Sequence, residues 1–426
     1  MDITPSRSTD GSINAAIASN ITNGSVPQLP KPFAELSLLD KLLSPLILLS
    51  MILGVIIGEF APTVREKLDT SKFHGVSLPI AIGLIVMMWP VLTKVQYETL
   101  PGIFRTKRLW RHLFISLILN WVVGPFLMLG LAWATLPDLP GYRTGVIMVG
   151  LARCIAMVII WNNLARGNTE YCAILVVVNA LLQIALFSPY SVLFINIISH
   201  TPNDASQQVS YGNVAISVLI YLGIPLVAGI ITRYGVIATT SRRFFEEKFL
   251  RFFSPFSLIG LLYTIIVLFA YQGHRILHDI GPVFRVCVPQ ILYFFIMWTG
   301  TFLLIQHLAK RESARAKGAD VRTYGYDTAV SQAFTAASNN FVRLNSLTVM
   351  ASLILNQELA IAVCIAVYGI DSEQALAATI GPLTEVPVLL GLTWLALYLR
   401  HKLTWEVSRR SDLEEESVQT EKLKQY

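Results

Sequence analysis

Apolar runs of roughly twenty residues, separated by short polar stretches, dominate the chain from about residue 42 to residue 399. Such a run is long enough, as a helix, to cross a hydrocarbon core of ~30 Å. The pattern predicts ten spans, at 42–61, 77–95, 112–136, 143–165, 171–197, 213–233, 255–273, 283–308, 328–370 and 376–399. The ninth is about twice the length one crossing needs. The predicted organisation is a disordered tail (1–41), a five-helix unit (42–197), an external loop (198–212), a second five-helix unit (213–399) and a second tail (400–426).

Composition supports that reading. Hydrophobic residues make up 54% of the chain and charged residues 14%, against about 25% charged in soluble proteins. The net charge of +6 then reports loop topology rather than nucleic-acid affinity. Basic clusters fall in 96–111 (Arg105, Lys107, Arg108, Arg111), 234–254 (Arg242, Arg243, Lys248, Arg251) and 309–327 (Lys310, Arg311, Arg315, Lys317, Arg322). The connections 198–212 and 371–375 contain neither Lys nor Arg. Basic loops lie on the cytoplasmic side, which puts both termini in the cytosol. The first loop, with Arg65, Lys67 and Lys72, dissents. Segment 241–254 reads equally as an amphipathic surface helix or a solvated basic loop. No cleavable signal is visible in the first forty residues. The four cysteines, Cys154, Cys172, Cys287 and Cys364, lie in or beside apolar spans and form no disulfide or CxxC framework.

Two units of five spans carry a weak repeat. Val178–Phe187 in the fifth span aligns with Ile380–Leu389 in the tenth, pairing Gln183 with Glu385. An odd number of spans per unit makes the second copy inverted. The expected fold is therefore an all-α polytopic membrane protein of two inverted five-helix repeats, with helices four and nine broken and crossing at the midplane. Ser338-Asn339-Asn340 is poor helix for mid-membrane and fits such a break.

Candidate chemistry clusters at those breaks. Arg153 sits inside an apolar run, where even mild insertion scales assign a cost of roughly 2.5–3.5 kcal/mol. Cys154 follows it, about 16 Å along the helix from Arg143. A thiolate there is a soft ligand, although a buried cysteine is often only a small apolar side chain. Glu358 opens an apolar run, and Glu385 lies within another; carboxylates so placed are proton or cation carriers or counter-ions to a buried arginine. Asn120, Asn179, Asn340 and Gln183 are in-span polar groups that serve as readily for interhelical hydrogen bonds as for ligands. Trp133 and Trp161 suit a core, an interfacial belt or a pocket wall. Neither HExxH nor GxSxG occurs, so hydrolysis has no support and a transporter is favoured over an enzyme or a receptor.

These residues carry a family resemblance. Gly150-Leu-Ala-Arg-Cys-Ile-Ala-Met-Val158 and Trp161-Asn-Asn-Leu-Ala-Arg-Gly-Asn-Thr-Glu-Tyr171 resemble the fourth-span signature of the Acr3 arsenite efflux family. Ala337-Ser-Asn-Asn-Phe341, Glu358-Leu-Ala-Ile-Ala-Val363 and Gly381-Pro-Leu-Thr-Glu-Val-Pro-Val388 resemble its ninth and tenth spans. The resemblance implies export of trivalent arsenic, sometimes antimonite, across the plasma membrane in exchange for protons, with no cofactor and no permanent metal. Vacuolar residence is the lesser alternative, and the long N-terminal tail points to a fungal member. Cys154 and Glu358 match the family's essential cysteine and glutamate, and Arg153, Asn340 and Glu385 match motif neighbours. A sodium-coupled organic-anion symporter of the same fold is the rival reading. Oligomeric state is left open.

One departure stands out. In the family, Ser-Asn-Asn-Phe runs directly into Glu-Leu-Ala-Ile-Ala-Val; here sixteen residues, Val342 to Gln357, intervene and account for the excess length of span nine. Valine codons begin with GT, glutamine can be CAG, and Leu347-Thr348 can encode a branch-point-like CTAAC. The segment reads as a retained intron, with a genuine insertion as the alternative.

Overall fold

The computed structural model describes residues 38–61, 63–64, 72–73, 76–94, 97, 107–153, 158–199, 208–253, 255–315, 323–337, 358–403 and 405. Within them helix dominates, beside one two-residue antiparallel pair, β1 (Lys72–Phe73) with β2 (Val76–Ser77). The first half of the chain supplies α1 (Leu38–Phe60), α2 (Leu78–Thr93), α3 (Lys107–Ile118), α4 (Gly124–Thr135), α5 (Pro140–Leu151), α6 (Val158–Leu164) and α7 (Thr169–Ser191). The second supplies α8 (Tyr211–Val218), α9 (Ile224–Thr239), α10 (Pro255–His278), α11 (Ile280–Arg315), α12 (Tyr326–Ala337), α13 (Glu358–Tyr368), α14 (Glu373–Thr379) and α15 (Gly381–Lys402).

Among the described residues five helical stretches are long and apolar enough to cross a membrane: Leu109–Thr135, Tyr171–Ile198, Tyr211–Thr239, Arg242–His278 and Ile280–Glu312. Leu48–Phe60, Leu78–Pro90, Leu359–Tyr368 and Pro387–Arg400 are shorter apolar helices. Large apolar side chains such as Phe60, Ile197, Phe252 and Phe284 point outward, as a lipid-facing surface requires.

Helix α3 joins α4, and α8 joins α9, through single π turns, Leu119–Val123 and Leu219–Gly223. Each precedes a proline, Pro125 or Pro225, whose ring clashes with the carbonyl four residues back and which has no N–H to give it. Widening the turn relieves both problems: Gly124 N–H reaches Leu119 O and Ile224 N–H reaches Leu219 O, five residues back. Segment 241–254, left open between helix and loop, is largely helical. Phe245 and Leu250 turn inward, while Arg242 and Arg243 pair with Glu246 and Glu247 at 2.9 Å on the exposed side.

The helices sort into two packed groups. In one, α10 lies along α1 and α2, and α9 lies on α2. In the other, α11 packs on α12, α15 and α4, α5 packs on α4 and α14, and α7 packs on α12. The first group is held by close backbone approach. A Cβ at Gly54 would fall 2.6 Å from Phe269 Cβ, and one at Gly273 would fall 2.9 Å from Val55 O. Gly54 and Gly58 form the small-xxx-small stripe that lets helices meet in lipid. The second group contains two helices buried all round, α5 and α12, which have no lipid face.

Candidate functional site

Those two buried half-helices end in the protein interior. Helix α5 stops at Leu151 because Ala152 turns extended (φ −69°, ψ 127°), and helical structure resumes at Val158. Helix α12 is described as far as Ala337, and α13 from Glu358 onward. A helix end leaves its last carbonyls without donors, and away from water each needs another donor.

Arg153 supplies them at the first break. Its side chain is fully buried, and its Nη2 donates to Gly150 O in the last turn of α5 at 3.0 Å. A cation here also meets the negative end of the helix dipole. Its Nη1 donates to the Tyr293 hydroxyl of α11 at 2.8 Å. That hydroxyl in turn donates to Ala336 O, in the last turn of α12, at 3.5 Å. The ends of α5 and α12 are thus joined through one guanidinium and one phenol. The first two amides past the α5 end are also satisfied: Ala152 N–H donates to Met148 O at 3.1 Å and Arg153 N–H to Gln183 Oε1 of α7 at 2.5 Å.

The guanidinium fits because residue 124 has no side chain. A Cβ on Gly124, directly after the π turn, would lie 2.7 and 2.9 Å from the two terminal guanidinium nitrogens and 3.0 Å from the Tyr293 oxygen. No carboxylate lies within ion-pair distance of Arg153 among the described residues. Its charge is met by hydroxyl and carbonyl oxygens. The buried Arg153 Nε has no hydrogen-bond partner there.

The other sequence-selected residues divide. Asn120, in the π turn, is buried and donates from Nδ2 to Ser116 O at 2.8 Å, while its buried Oδ1 has no hydrogen-bond partner among the described residues. Asn179 is buried and accepts from Trp121 Nε1 at 3.1 Å, fastening α7 to the same π turn. Trp161 is buried in α6, and its Nε1 also has no partner among the described residues. Glu385 is buried in α15, beside Thr384, whose hydroxyl donates to Gln290 of α11 at 2.6 Å. Trp133 is structural: it lies under Arg143 at 3.7 Å and donates to Ser199 at 3.0 Å. Cys154, Asn340 and the segment 342–357 lie outside the described residues, as does the side chain of Glu358. Asn120 and Asn179 bond within their own helices or to each other's neighbours, not to Arg153.

The second half of the fourth-span signature also fixes helix ends. Asn162 accepts from Ser331 of α12 at 2.8 Å. Asn168 caps α7 through Tyr171 N–H at 2.9 Å and donates to Asp327 at 3.2 Å. Tyr326 donates to Ala165 O at 2.8 Å. These bonds tie the α6–α7 turn to the start of α12.

Sequence reasoning missed Tyr293 and Gly124. Tyr293 hides in the apolar run Ile291-Leu-Tyr-Phe-Phe295. A hydroxyl inside a span needs a partner, and that was the available signal.

Residues 81–279 match the model of the sodium bile acid symporter family. The chain is 41% identical over 372 residues to the arsenical-resistance protein Acr3 of Corynebacterium glutamicum, covering 87% of this chain and 92% of that one. It is 30% identical to an uncharacterized transporter of Synechocystis, covering 86% and 90%. It is 28% identical to the Acr3 arsenical-resistance protein of Alkaliphilus metalliredigens, covering 82% and 90%. The chain belongs to the Acr3 arsenical-resistance proteins, within the sodium bile acid symporter family.

Proposed function

We propose that the protein exports arsenite, and antimonite by the same route, in exchange for protons. It would act from the plasma membrane with both termini in the cytosol, as ten spans in two inverted repeats. The observation that carries this reading is the Arg153–Tyr293 bridge, which draws the ends of α5 and α12 to one buried place. Cys154 follows Arg153 in the chain, and Asn340 comes three residues after Ala337.

Arsenite is an uncharged trihydroxide near neutrality, so a site must select it by soft sulfur or by hydrogen bonds. Cys154 is the soft contact; a single thiolate allows release, which a tris-thiolate site would hinder. Buried polar atoms that have no partner among the described residues, Arg153 Nε, Asn120 Oδ1 and Trp161 Nε1, suit hydroxyl groups. Asn179 holds the π turn that carries Asn120. Asn340 and Glu385 complete the polar lining from the second unit. Glu358 couples transport by alternately holding a proton and a hydrogen bond to the substrate.

In everted vesicles, Cys154→Ser and Glu358→Gln are each expected to abolish arsenite uptake, and full transport by either would overturn its role. Segment 342–357 would separate Glu358 from Asn340. Sequencing the transcript is expected to show Phe341 joined to Glu358 in the major product; retention of those codons there would end the intron reading.

A further inference from the structure

The glycine-packed group carries a second cluster of ligating side chains, remote from the helix breaks. Helices α1 and α10 run parallel, and both end at the same face. Because Gly58 and Gly273 bring their backbones into contact, the residues that follow, Glu59 and His274, meet at the helix ends. His274 Nδ1 lies 3.1 Å from Glu59 Oε2. His278, one turn further along α10, stacks on His274 with ring centroids 4.0 Å apart. One ligand atom from each of Glu59, His274 and His278 can be chosen so that all three lie within 4.8 Å of one another.

The hydrogen bonds orient these rings as ligands. His278 Nδ1 faces His274 O at 2.7 Å. A carbonyl only accepts, so Nδ1 carries the hydrogen and, in the neutral ring, the lone pair is on Nε2. His274 Nδ1 and Glu59 Oε2, 3.1 Å apart, are spaced as two ligand atoms of one ion, which would take the place of the hydrogen between them. A backbone carbonyl behind the second ring nitrogen, as at His278, is the usual support of a metal-bound histidine. Two helix C-termini converge here, and their dipoles favour a cation. The neighbouring Arg275 does not oppose one: it turns onto Asp279 at 3.3 Å, Glu373 at 3.7 Å and the carbonyl of Asp371. The cluster opens on a cleft of about 310 Å³ whose lining includes Gln272, His274, His278, Asp279 and Asp371 as well as the paired Arg275, which leaves room for water as a further ligand.

We propose that Glu59, His274 and His278 form a site for a divalent transition-metal ion of intermediate softness, with Zn²⁺ the best match. Two imidazoles and a carboxylate are a known three-ligand set for zinc that leaves a position open. Ligand atoms in such a site sit about 2.0–2.2 Å from the metal, so these exposed side chains need move only slightly. Calcium and magnesium, which take oxygen ligands, are disfavoured. The bound ion would clamp α1 to α10.

The test uses the full chain, purified without a histidine tag, in lipid nanodiscs. Calorimetric titration with ZnCl₂ is expected to show one saturable site. The double variant His274→Ala/His278→Ala is expected to lose it, and Glu59→Gln to weaken it at least tenfold. Titrated into the wild type, Co²⁺ is expected to give visible absorption of nitrogen–oxygen ligation without a thiolate charge-transfer band. Cys154→Ser is expected to bind Zn²⁺ as the wild type does, so this site and the transport site stand or fall separately. Absence of saturable Zn²⁺ binding, unchanged binding by the double variant, or a thiolate band would each overturn the proposal.

Discussion

The two helix groups solve the same problem, packing in lipid, by opposite means. Around α1, α2, α9 and α10, backbones touch through Gly54, Gly58, Gly229 and Gly273. Dispersion between close main chains holds that group, and it needs few buried polar groups at the α1–α10 contact. Around α5, α7, α11 and α12 the interior instead holds Arg153, Gln183, Gln290, Ser331, Gln332 and Glu385, all fully or nearly fully buried. Those groups are expensive to bury and stay only where hydrogen bonds satisfy them. The difference teaches where the chemistry is. One group packs as a frame, and the other tolerates the helix end at Leu151 because the Arg153 side chain completes it.

Breaking the polar group should have the largest effect. Arg153→Met removes the donors to Gly150 O and Tyr293, and is expected to abolish arsenite transport and to lower the melting temperature. Each buried group left unsatisfied costs roughly 1–3 kcal/mol. Efflux and thermal melting of purified protein check both effects. Tyr293→Phe keeps the ring and the packing but cuts the link between α5 and α12. A loss of about 1–3 kcal/mol and reduced transport are expected. Wild-type transport by this variant would show that the two helix ends need no bridge.

The frame should respond differently. Gly58→Leu forces a side chain into the backbone of Ala270, and overpacking of this kind costs about 1–3 kcal/mol. Its expected signature is a lower melting temperature with transport per folded molecule retained, together with loss of Zn²⁺ binding beside it. Selective loss of transport at unchanged stability would contradict the division between frame and site.

The smallest effect belongs to the exposed turn between α4 and α5. There Asp138 accepts two bonds from Arg285, at 2.5 and 2.7 Å. These bonds hold its carboxyl down to about 2. A depressed carboxylate stabilises the fold above its ordinary value of ~3.9 and loses that contribution as pH falls toward the folded value. The melting-temperature difference between wild type and Asp138→Asn is therefore expected to be constant at neutral pH and to close between about pH 4 and pH 2.

The same contrast explains what was legible in the sequence. Apolar runs gave most helices, since length and hydropathy alone decide whether a segment can lie in lipid. Arg153 was conspicuous because its burial is costly. Its partners were not, because Tyr293 lies 140 residues away in a run that reads as uniformly apolar, and Gly124 acts by having nothing to see. The π turns were hidden for a related reason: a proline in an apolar span signals a disturbance, but packing decides which relief is taken. His274, His278 and Glu59 fell at span ends, where polar residues are ordinary. Only the meeting of α1 and α10 makes them a cluster.

The central claim is that the polar group moves arsenite. The most direct measurement is flux of arsenite into liposomes containing the purified chain, with an imposed pH gradient and no sodium. Uptake that follows the pH gradient and vanishes in Cys154→Ser is expected. Absence of arsenite movement under any gradient, or undiminished movement by Cys154→Ser, would contradict it.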